Sequence, residues 1–553
     1  MSLDLRRHAV RWAPVAACAA VLIWHSLQYN FVTDDAYISF VYSRNLAEHG
    51  QLTFNLDHPV EGYTNFLWTF ILGVLMLLGI PPEWSSRVLG TACGIGVLVV
   101  AFRLTERLLG KPHPKTWGEL SGWPYLPPLL LAWSSGFACW SSGGLETQLF
   151  TLCVALAIEA YVASEDGEPM KLVRAAIYLA LAAMTRPEGL LIAAILGAHR
   201  VGLNLALRRR LIPDVAERRA ILGFLAVWAP WFAWRYWYYG YPFPNTYYVK
   251  ATGQLVGGLD KEGHTMAEQV WLGGFYYLKR WALQINLAWI SPALLVGLIA
   301  RPRTPRFVFA SLALPLTLIY LVYTASVGGD FMGLHRFIMP IFVLVAITAS
   351  LGLATLADLA IARRVPRLVP AAIVAMIVAA FAWSQWRLTS ESLRWGNFDN
   401  DHGIDTPAFL IVYTEDRATI GKAMEPCFKD GDFSIVGGAG AQPYYGRMQA
   451  IDLFGLVSDR IAHEEPRVNA RAGHTKRASD AMLSSYDPTF VFHCYELTPD
   501  PDHHREFDGC SGYWKAHGYE PVTMHIPGLL QKGEYYTFLA KKDRHFECPG
   551  RVR

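Results

Sequence analysis

Residues 63–80 read Tyr63-Thr64-Asn65-Phe66-Leu67-Trp68-Thr69-Phe70-Ile71-Leu72-Gly73-Val74-Leu75-Met76-Leu77-Leu78-Gly79-Ile80, followed at once by Pro81-Pro82. By hydropathy alone this is a membrane span, since roughly 20 apolar residues cover a bilayer core. Whether it crosses decides on which side everything after it lies. Further apolar segments lie near 12–32, 85–102, 123–140, 145–163, 172–185, 188–206, 220–239, 285–300, 307–327, 337–360 and 367–386. Basic residues concentrate in the inner loops of membrane proteins. Here they cluster at Arg6/Arg7/Arg11, Arg103/Arg107/Lys111, Lys171/Arg174, Arg208/Arg209/Arg210 with Arg218/Arg219, Arg301/Arg303/Arg306 and Arg363/Arg364/Arg367. If 63–80 crosses, every cluster after the first falls outside. If it lies at the outer interface or dips into it, all of them fall inside. The second arrangement obeys the rule and predicts about eleven spans, with the N-terminus inside and the C-terminal part outside. Pro81 and Pro82 stop the segment, and a helix that enters without crossing needs its backbone buried against protein.

Composition divides the chain in two. Only 17% of the 553 residues are charged, against about 25% in soluble domains, and the thinning is confined to residues 1–386. Residues 387–553 read as a water-soluble α/β domain, with β-rich runs at 433–436, 489–495 and 535–540 between helical stretches. The expected architecture is a multi-spanning α-helical membrane domain, 1–386, whose first outer loop carries the chemistry, and an extracytoplasmic soluble α/β domain, 387–553. A net charge of +3 is too small to indicate nucleic acid as a partner. Arg6, Arg7 and Arg11 precede an apolar run to about residue 32, which is long enough to span and predicts an uncleaved first helix rather than a signal peptide. Cys18, Cys93, Cys139 and Cys153 sit in apolar runs as small buried hydrophobes. Cys427, Cys494, Cys510 and Cys548 all fall in the polar domain, where an exported location predicts one or two disulfides. Cys494 with Cys510 closes the shortest loop. The spacings match no zinc site.

With that orientation, the polar residues collect at the outer ends of the helices. The first outer loop carries Thr33-Asp34-Asp35-Ala36-Tyr37-Ile38-Ser39-Phe40, then Arg44-Asn45, then Val60-Glu61-Gly62-Tyr63-Thr64-Asn65. Later outer turns carry Gly143-Gly144-Leu145-Glu146-Thr147, Thr185-Arg186-Pro187-Glu188-Gly189, Asn245-Thr246-Tyr247-Tyr248-Val249-Lys250 and Gly328-Gly329-Asp330-Phe331-Met332-Gly333-Leu334-His335-Arg336. The inner turns hold little besides basic residues. Ionisable groups at membrane depth are costly unless they pair or line a wet cavity, so this one-sided set predicts an outward-facing polar cavity. Singly, each member has a plainer reading. Asp34 or Asp35 can cap the amphipathic helix that follows, Pro187 can start a helix, Glu146 suits a first turn, and Asp330 with Arg336 can be a surface pair. Tyr247 and Tyr248 can be interface anchors, and His25 a packing residue. Gly90 and Gly94 have a small-xxx-small spacing. The functional reading rests on the set.

These motifs, with the C-terminal run Gly440-Ala441-Gln442-Pro443-Tyr444-Tyr445-Gly446 and Ile451-Asp452-Leu453-Phe454-Gly455-Leu456, resemble the GT-C superfamily of polyprenyl-phosphate-dependent glycosyltransferases. The nearest branch resembles the terminal arabinofuranosyltransferases of the cell envelope. The resemblance implies transfer of a sugar, arabinofuranose by best match, from a polyprenyl-phosphate donor to an extracytoplasmic glycan or glycoprotein acceptor in cell wall biogenesis. It places the chain in a bacterial inner (cytoplasmic) membrane, in contact with the bilayer, and implies no nucleic acid. It makes Asp34 or Asp35 the catalytic carboxylate and lays the first-loop helices along the membrane surface. On this reading Arg186, Lys250, Arg336 and Arg44 bind the donor phosphate. Glu61, Tyr63, Asn65, Glu146, Glu188, Tyr247, Tyr248, Asp330 and His335 contact donor sugar or acceptor. No cofactor is required; a divalent cation between the acids is compatible with the set, and the metal question stays open. The junction 389–406 and the stretch at Gly437-Gly438 depart from the branch's pattern. Alternatives are the same fold using mannose or aminoarabinose, or a transporter of a lipid-linked sugar. The latter commonly shows internal repeats, and none is seen.

Overall fold

The computed structural model describes residues 3–110, 122–252, 255–256, 260, 262–394, 401–468, 474–502, 507–544 and 546–552. Lys111 of the second basic cluster and residues 395–400 of the junction lie outside the described residues. Among those described, seven helices are long and apolar enough to cross a membrane: Ala9–Tyr29, Pro82–Leu109, Thr147–Glu165, Glu188–Arg208, Pro305–Ser326, Arg336–Ala362 and Leu368–Ser392.

The other apolar segments form helices of different character. Segment 123–140 is broken into Trp123–Tyr125, Leu126–Trp133 and Ser135–Ser142. Extended Ser134 makes the break and starts the next helix by accepting from the Phe137 amide. Segment 172–185 is a 15-residue helix, Lys171–Thr185, and 285–300 shrinks to the 11 residues of Leu287–Gly297. Segment 220–239 lies within Val215–Tyr239. The stretch 63–80 yields Phe66–Leu77, only 12 residues. At 1.5 Å per residue it rises roughly 18 Å, well short of a roughly 30 Å hydrocarbon core.

By packing, the chain divides into two units. The first, Met1–Asn30, Ser86–Trp234 and Val270–Arg394, is a helical body. Its axis is Met339–Ala362, apolar on all sides and buried along most of its length. That helix crosses Leu287–Gly297 so closely that a methyl group at Gly352 would overlap the Ala293 carbonyl, and one at Gly297 the Thr348 carbonyl. Gly90 and Gly94 are used in the same way: a Cβ there would stand 2.6 Å from the Ser141 carbonyl and 2.9 Å from the Ser141 hydroxyl. Such small-residue contacts are how helices approach in membranes. Leu368–Ser392 exposes Leu368, Ile373, Met376 and Trp383, an apolar face suited to lipid. His25 is held by Thr389 at 2.7 Å and the Ala132 carbonyl at 3.2 Å, so it is a satisfied packing residue.

The second unit gathers three separated stretches, Phe31–Ser85, Arg235–Gln269 and Trp395–Arg553. Its centre is a five-stranded sheet. We number the strands β1 (Phe433–Val436), β2 (Gln449–Asp452), β3 (Phe490–Thr498), β4 (Tyr519–His525) and β5 (Tyr535–Lys541). The spatial order is β2-β1-β3-β5-β4, with β2, β1 and β3 parallel and β5 and β4 antiparallel. Ile435, Val491, Leu539 and Trp514 form its core. Cys494 joins Cys510, as the spacing suggested, and Cys427 joins Cys548 across 121 residues. The helix Asp34–His49 packs on Phe66–Leu77 through Ser43, whose hydroxyl donates to the Thr69 carbonyl at 2.8 Å, and through Gly73 against Leu46. The Asn55 amide pairs with both backbone groups of Ala450, at 2.9 Å each, and so ties the first loop to β2.

Candidate functional site

In the helical unit, two arginines share one aromatic ring. Arg186 lies between Lys171–Thr185 and Glu188–Leu203, extended at φ −152°, ψ 143°, as the following Pro187 requires. Its guanidinium reaches Glu146 at 3.4 Å and both oxygens of Glu188 at 3.4 Å. Arg336 grips Asp330 through Nε at 2.5 Å and Nη2 at 3.3 Å. Phe337 lies beneath both cations, 4.5 Å from Arg186 and 5.3 Å from Arg336. All five charged groups are buried. Charge-assisted bonds normally run about 2.7–2.9 Å. Arg336 is therefore committed to Asp330, while Arg186 is held loosely by two acids. Of the two, Arg186 is the better placed to turn toward an incoming anion.

The loop that carries Asp330 is conformationally unusual. Gly328, Gly329, Leu334 and His335 all have positive φ, rare for non-glycine residues. A methyl group at Gly329 would stand 2.6 Å from the Tyr277 ring, which in turn packs on His335 with centroids 4.5 Å apart. Trp140 closes the loop by donating to the Gly333 carbonyl at 3.1 Å. Strain of this kind persists only where the surroundings over-determine it.

In the second unit, Asp34 and Asp35 open the helix Asp34–His49. The Asp34 carboxylate accepts from the Ala441 amide at 2.8 Å, just after the turn Gly437-Gly438-Ala439-Gly440 that leaves β1. Gly438 lies under its other oxygen, where a Cβ would be 3.2 Å away. A methyl group at Gly440 would overlap both the carbonyl and the carboxyl group of Asp34, so only glycine admits the carboxylate here. Burial pushes the Asp34 carboxyl up to about 6; the Asp35 charge adds to this, and the Ala441 amide and the Arg417 cation oppose it. An acid in that range can exchange a proton near neutral pH.

The remaining sequence-predicted residues of this unit are placed as follows. Arg44 donates to the Tyr444 carbonyl at 2.6 Å and lies 5.0 Å from that ring. Glu61 is buried in a two-point pair with Arg235, at 2.8 and 2.5 Å, and burial raises its carboxyl above the ordinary range against the pull of Arg235. Tyr63 is buried, its hydroxyl 3.0 Å from that of Tyr239. Asn65 accepts from Ser39 at 3.1 Å and Thr69 at 3.0 Å. Tyr248 packs against His463 with tilted rings, centroids 4.0 Å apart. Tyr247 and Lys250 are exposed on the short helix Asn245–Ala251. Among the described residues, one group has metal-ligand geometry: Asp260, Glu262 and His264, with ligand atoms within 4.8 Å of one another. Asp260 already accepts from the Glu262 and His264 amides, at 3.0 and 2.8 Å.

Sequence reasoning missed Arg235 and Arg417. Arg235 had a signal, a lone charge inside the run Trp231-Phe232-Ala233-Trp234-Arg235-Tyr236-Trp237, where an ionisable group needs a partner. Arg417, on the helix Pro407–Met424, had none, because its surroundings come from four distant parts of the chain.

No protein-family model matches the sequence, and neither does any curated protein. Solved structures do. ArnT from Cupriavidus metallidurans bound to undecaprenyl phosphate matches with a TM-score of 0.58 at 12% identity, over 96% of this chain and 98% of that one. The same protein in its apo state gives 0.56 at 14%, over 97% and 99%. The arabinofuranosyltransferase AftD from Mycobacteria gives 0.50 at 11%; 97% of this chain aligns to 40% of that larger one. The chain thus shares the multi-spanning helical GT-C fold of these solved structures.

Proposed function

We propose that the chain is a membrane glycosyltransferase that moves a sugar, arabinofuranose first among the candidates, from a polyprenyl-phosphate donor to an extracytoplasmic glycan or glycoprotein. The observation that carries this reading is Asp34, a carboxylate at the head of the first-loop helix whose pKa is pushed to about 6. The GT-C fold supports the reaction class, and arabinofuranose rests on the motif resemblance. Two disulfides in the C-terminal domain support its lying in an oxidising compartment, outside a bacterial cytoplasmic membrane with the N-terminus inside.

In the proposed reaction the acceptor hydroxyl oxygen attacks the anomeric carbon while its proton passes to the carboxylate of Asp34 or Asp35. The bond from the anomeric carbon to the phosphate oxygen breaks, and its electron pair leaves on polyprenyl phosphate. Within the helical unit, Arg186, loosely held by Glu146 and Glu188, is the residue assigned to binding the donor phosphate. The products are the glycosylated acceptor and polyprenyl phosphate.

The test is sugar transfer by purified protein from synthetic polyprenyl-phosphoryl-arabinofuranose, beside Asp34→Asn, Asp35→Asn and the double variant. Transfer that is lost in the double variant is the expected result. Transfer only from a mannosyl or aminoarabinosyl carrier changes the sugar and keeps the class. Carrier binding without transfer from any of the three overturns the enzyme reading in favour of a transporter.

A further inference from the structure

Arg417 is a buried cation with unused hydrogen-bonding capacity. It is 4% exposed, and its Nη1 donates to Gln442 Oε1 at 3.3 Å. The Tyr536 hydroxyl is a further side-chain partner of the guanidinium, while Nε and Nη2 meet no acceptor of hydrogen-bond geometry among the described residues. Leaving such donors buried and unmet costs about 1–3 kcal/mol or more for a charged group, which the fold has no reason to tolerate unless something fills the place. The guanidinium lies 4.1 Å from the Tyr495 ring and 5.1 Å from the Tyr413 ring, and both tyrosines keep part of their surface exposed.

The neighbourhood defines the ligand chemistry. Consecutive residues hold the two charged groups: the Ala441 amide binds Asp34, and the Gln442 side chain binds Arg417. Asp34 and Arg417 are near enough to influence each other's ionisation, and adjacent residues hold both, so a ligand that both donates and accepts hydrogen bonds suits the place. Open N–H donors beside a carboxylate acceptor, flanked by tyrosines, match the alternating donors and acceptors of a sugar's adjacent hydroxyls. One hydroxyl accepts from Arg417, and its neighbour donates to Asp34.

We propose that Arg417, with Gln442, Tyr413 and Tyr495, forms the subsite that holds the terminal sugar of the acceptor glycan and presents one of its hydroxyls to Asp34. This rests on the glycosyltransferase reading and adds to it that the C-terminal domain selects the acceptor. Losing two charged hydrogen bonds to a sugar raises the acceptor KM about 10- to 100-fold.

The experiment measures KM separately for donor and acceptor in the full-length protein, using linear α-arabinofuranosyl and α-mannosyl tetrasaccharides as acceptor probes. Arg417→Gln and Arg417→Lys are compared with wild type, and a detergent melt confirms folding of each. The expected result is a 10- to 100-fold higher acceptor KM for Arg417→Gln, a smaller rise for the lysine variant, and a donor KM within two-fold of wild type. An unchanged acceptor KM in folded Arg417→Gln overturns the subsite. So does a donor KM that rises in step, which would make Arg417 part of the donor machinery. If Arg417→Gln does not fold, the lysine variant decides: an acceptor KM equal to wild type overturns the proposal. Wild-type protein that transfers from no carrier fails the glycosyltransferase reading itself, and the subsite falls with it.

Discussion

Replacing Asp34 by asparagine should stabilise the protein above pH 6 while lowering its activity. The Asp34 carboxyl titrates at about 6 in the fold, against an ordinary 3.8. A group whose folded pKa is raised binds its proton more tightly in the fold than in the unfolded chain. Below about pH 4 both states are protonated and there is no penalty. Between about 4 and 6 the unfolded chain ionises first and stability falls as pH rises; above 6 the whole penalty is present. At about 1.4 kcal/mol per unit it reaches about 3 kcal/mol as an upper bound. Asp34 is only half-buried, and solvent screening brings this to about 1–2 kcal/mol. Asparagine keeps an oxygen for the Ala441 amide and removes the charge. The assay is a thermal melt in detergent from pH 4.5 to 8. Asp34→Asn should melt about 1–2 °C above wild type at pH 8 and closer to it at pH 4.5. Wild-type kcat/KM should have an acid limb near pH 6 that the variant lacks. A variant that melts below wild type at pH 8 would refute the burial argument, because the ionised carboxylate would then be contributing to stability.

Gly440→Ala should force the start of the helix Asp34–His49 away from its seat, since the methyl group overlaps the Asp34 carbonyl and carboxyl. Transfer should fall at least about 100-fold with the protein still inserted, by the sensitivity of catalysis to ~1 Å misplacement; wild-type rates in this variant would detach Asp34 from the reaction. Arg235→Met leaves Glu61 buried without its 2.5 and 2.8 Å partner and should cost about 3–5 kcal/mol, read as a lowered melting temperature, whereas Glu61→Gln costs less. Removing Cys427–Cys548, which closes 121 residues, should destabilise by about 5 kcal/mol, against about 3 for the 16-residue Cys494–Cys510 loop, by loop-closure entropy. Melts of Cys427→Ser/Cys548→Ser and Cys494→Ser/Cys510→Ser compare the two.

What was legible in the sequence was what depends on short-range pattern. The apolar runs, the helix-end acids at 34–35 and 188, and the Pro187 break each act through neighbours within a turn or two. The Cys494–Cys510 bridge was legible for the same reason, because its loop is short. Cys427–Cys548 was not singled out, because nothing local joins residues that far apart. The breaks within 123–140 also escaped, since one capping serine at 134 outweighs the hydropathy of the segment. Arg235, the partner of Glu61, was missed because it lies 174 residues away. Arg417 was invisible for the strongest form of this reason. Asp34, Gln442, Tyr495 and Tyr536 come together around it only when the first loop, the glycine turn and two strands are folded.

The C-terminal domain could be read as a lid, or as a clamp for glycan. The Asp34 contacts argue for something closer to the chemistry. The raised pKa of the first-loop carboxylate comes from burial, and part of that burial is supplied by Gly438, Gly440 and Ala441. Without the glycine turn, Asp34 would face water and return toward its ordinary pKa, a weaker base held in no fixed direction. A domain that merely covered the acceptor would leave the carboxylate's basicity alone. One that grips it at the exit of β1 sets its protonation and its aim together. The sequence is consistent with that arrangement: Gly440 has to be glycine for Asp34 to approach, although 406 residues separate them.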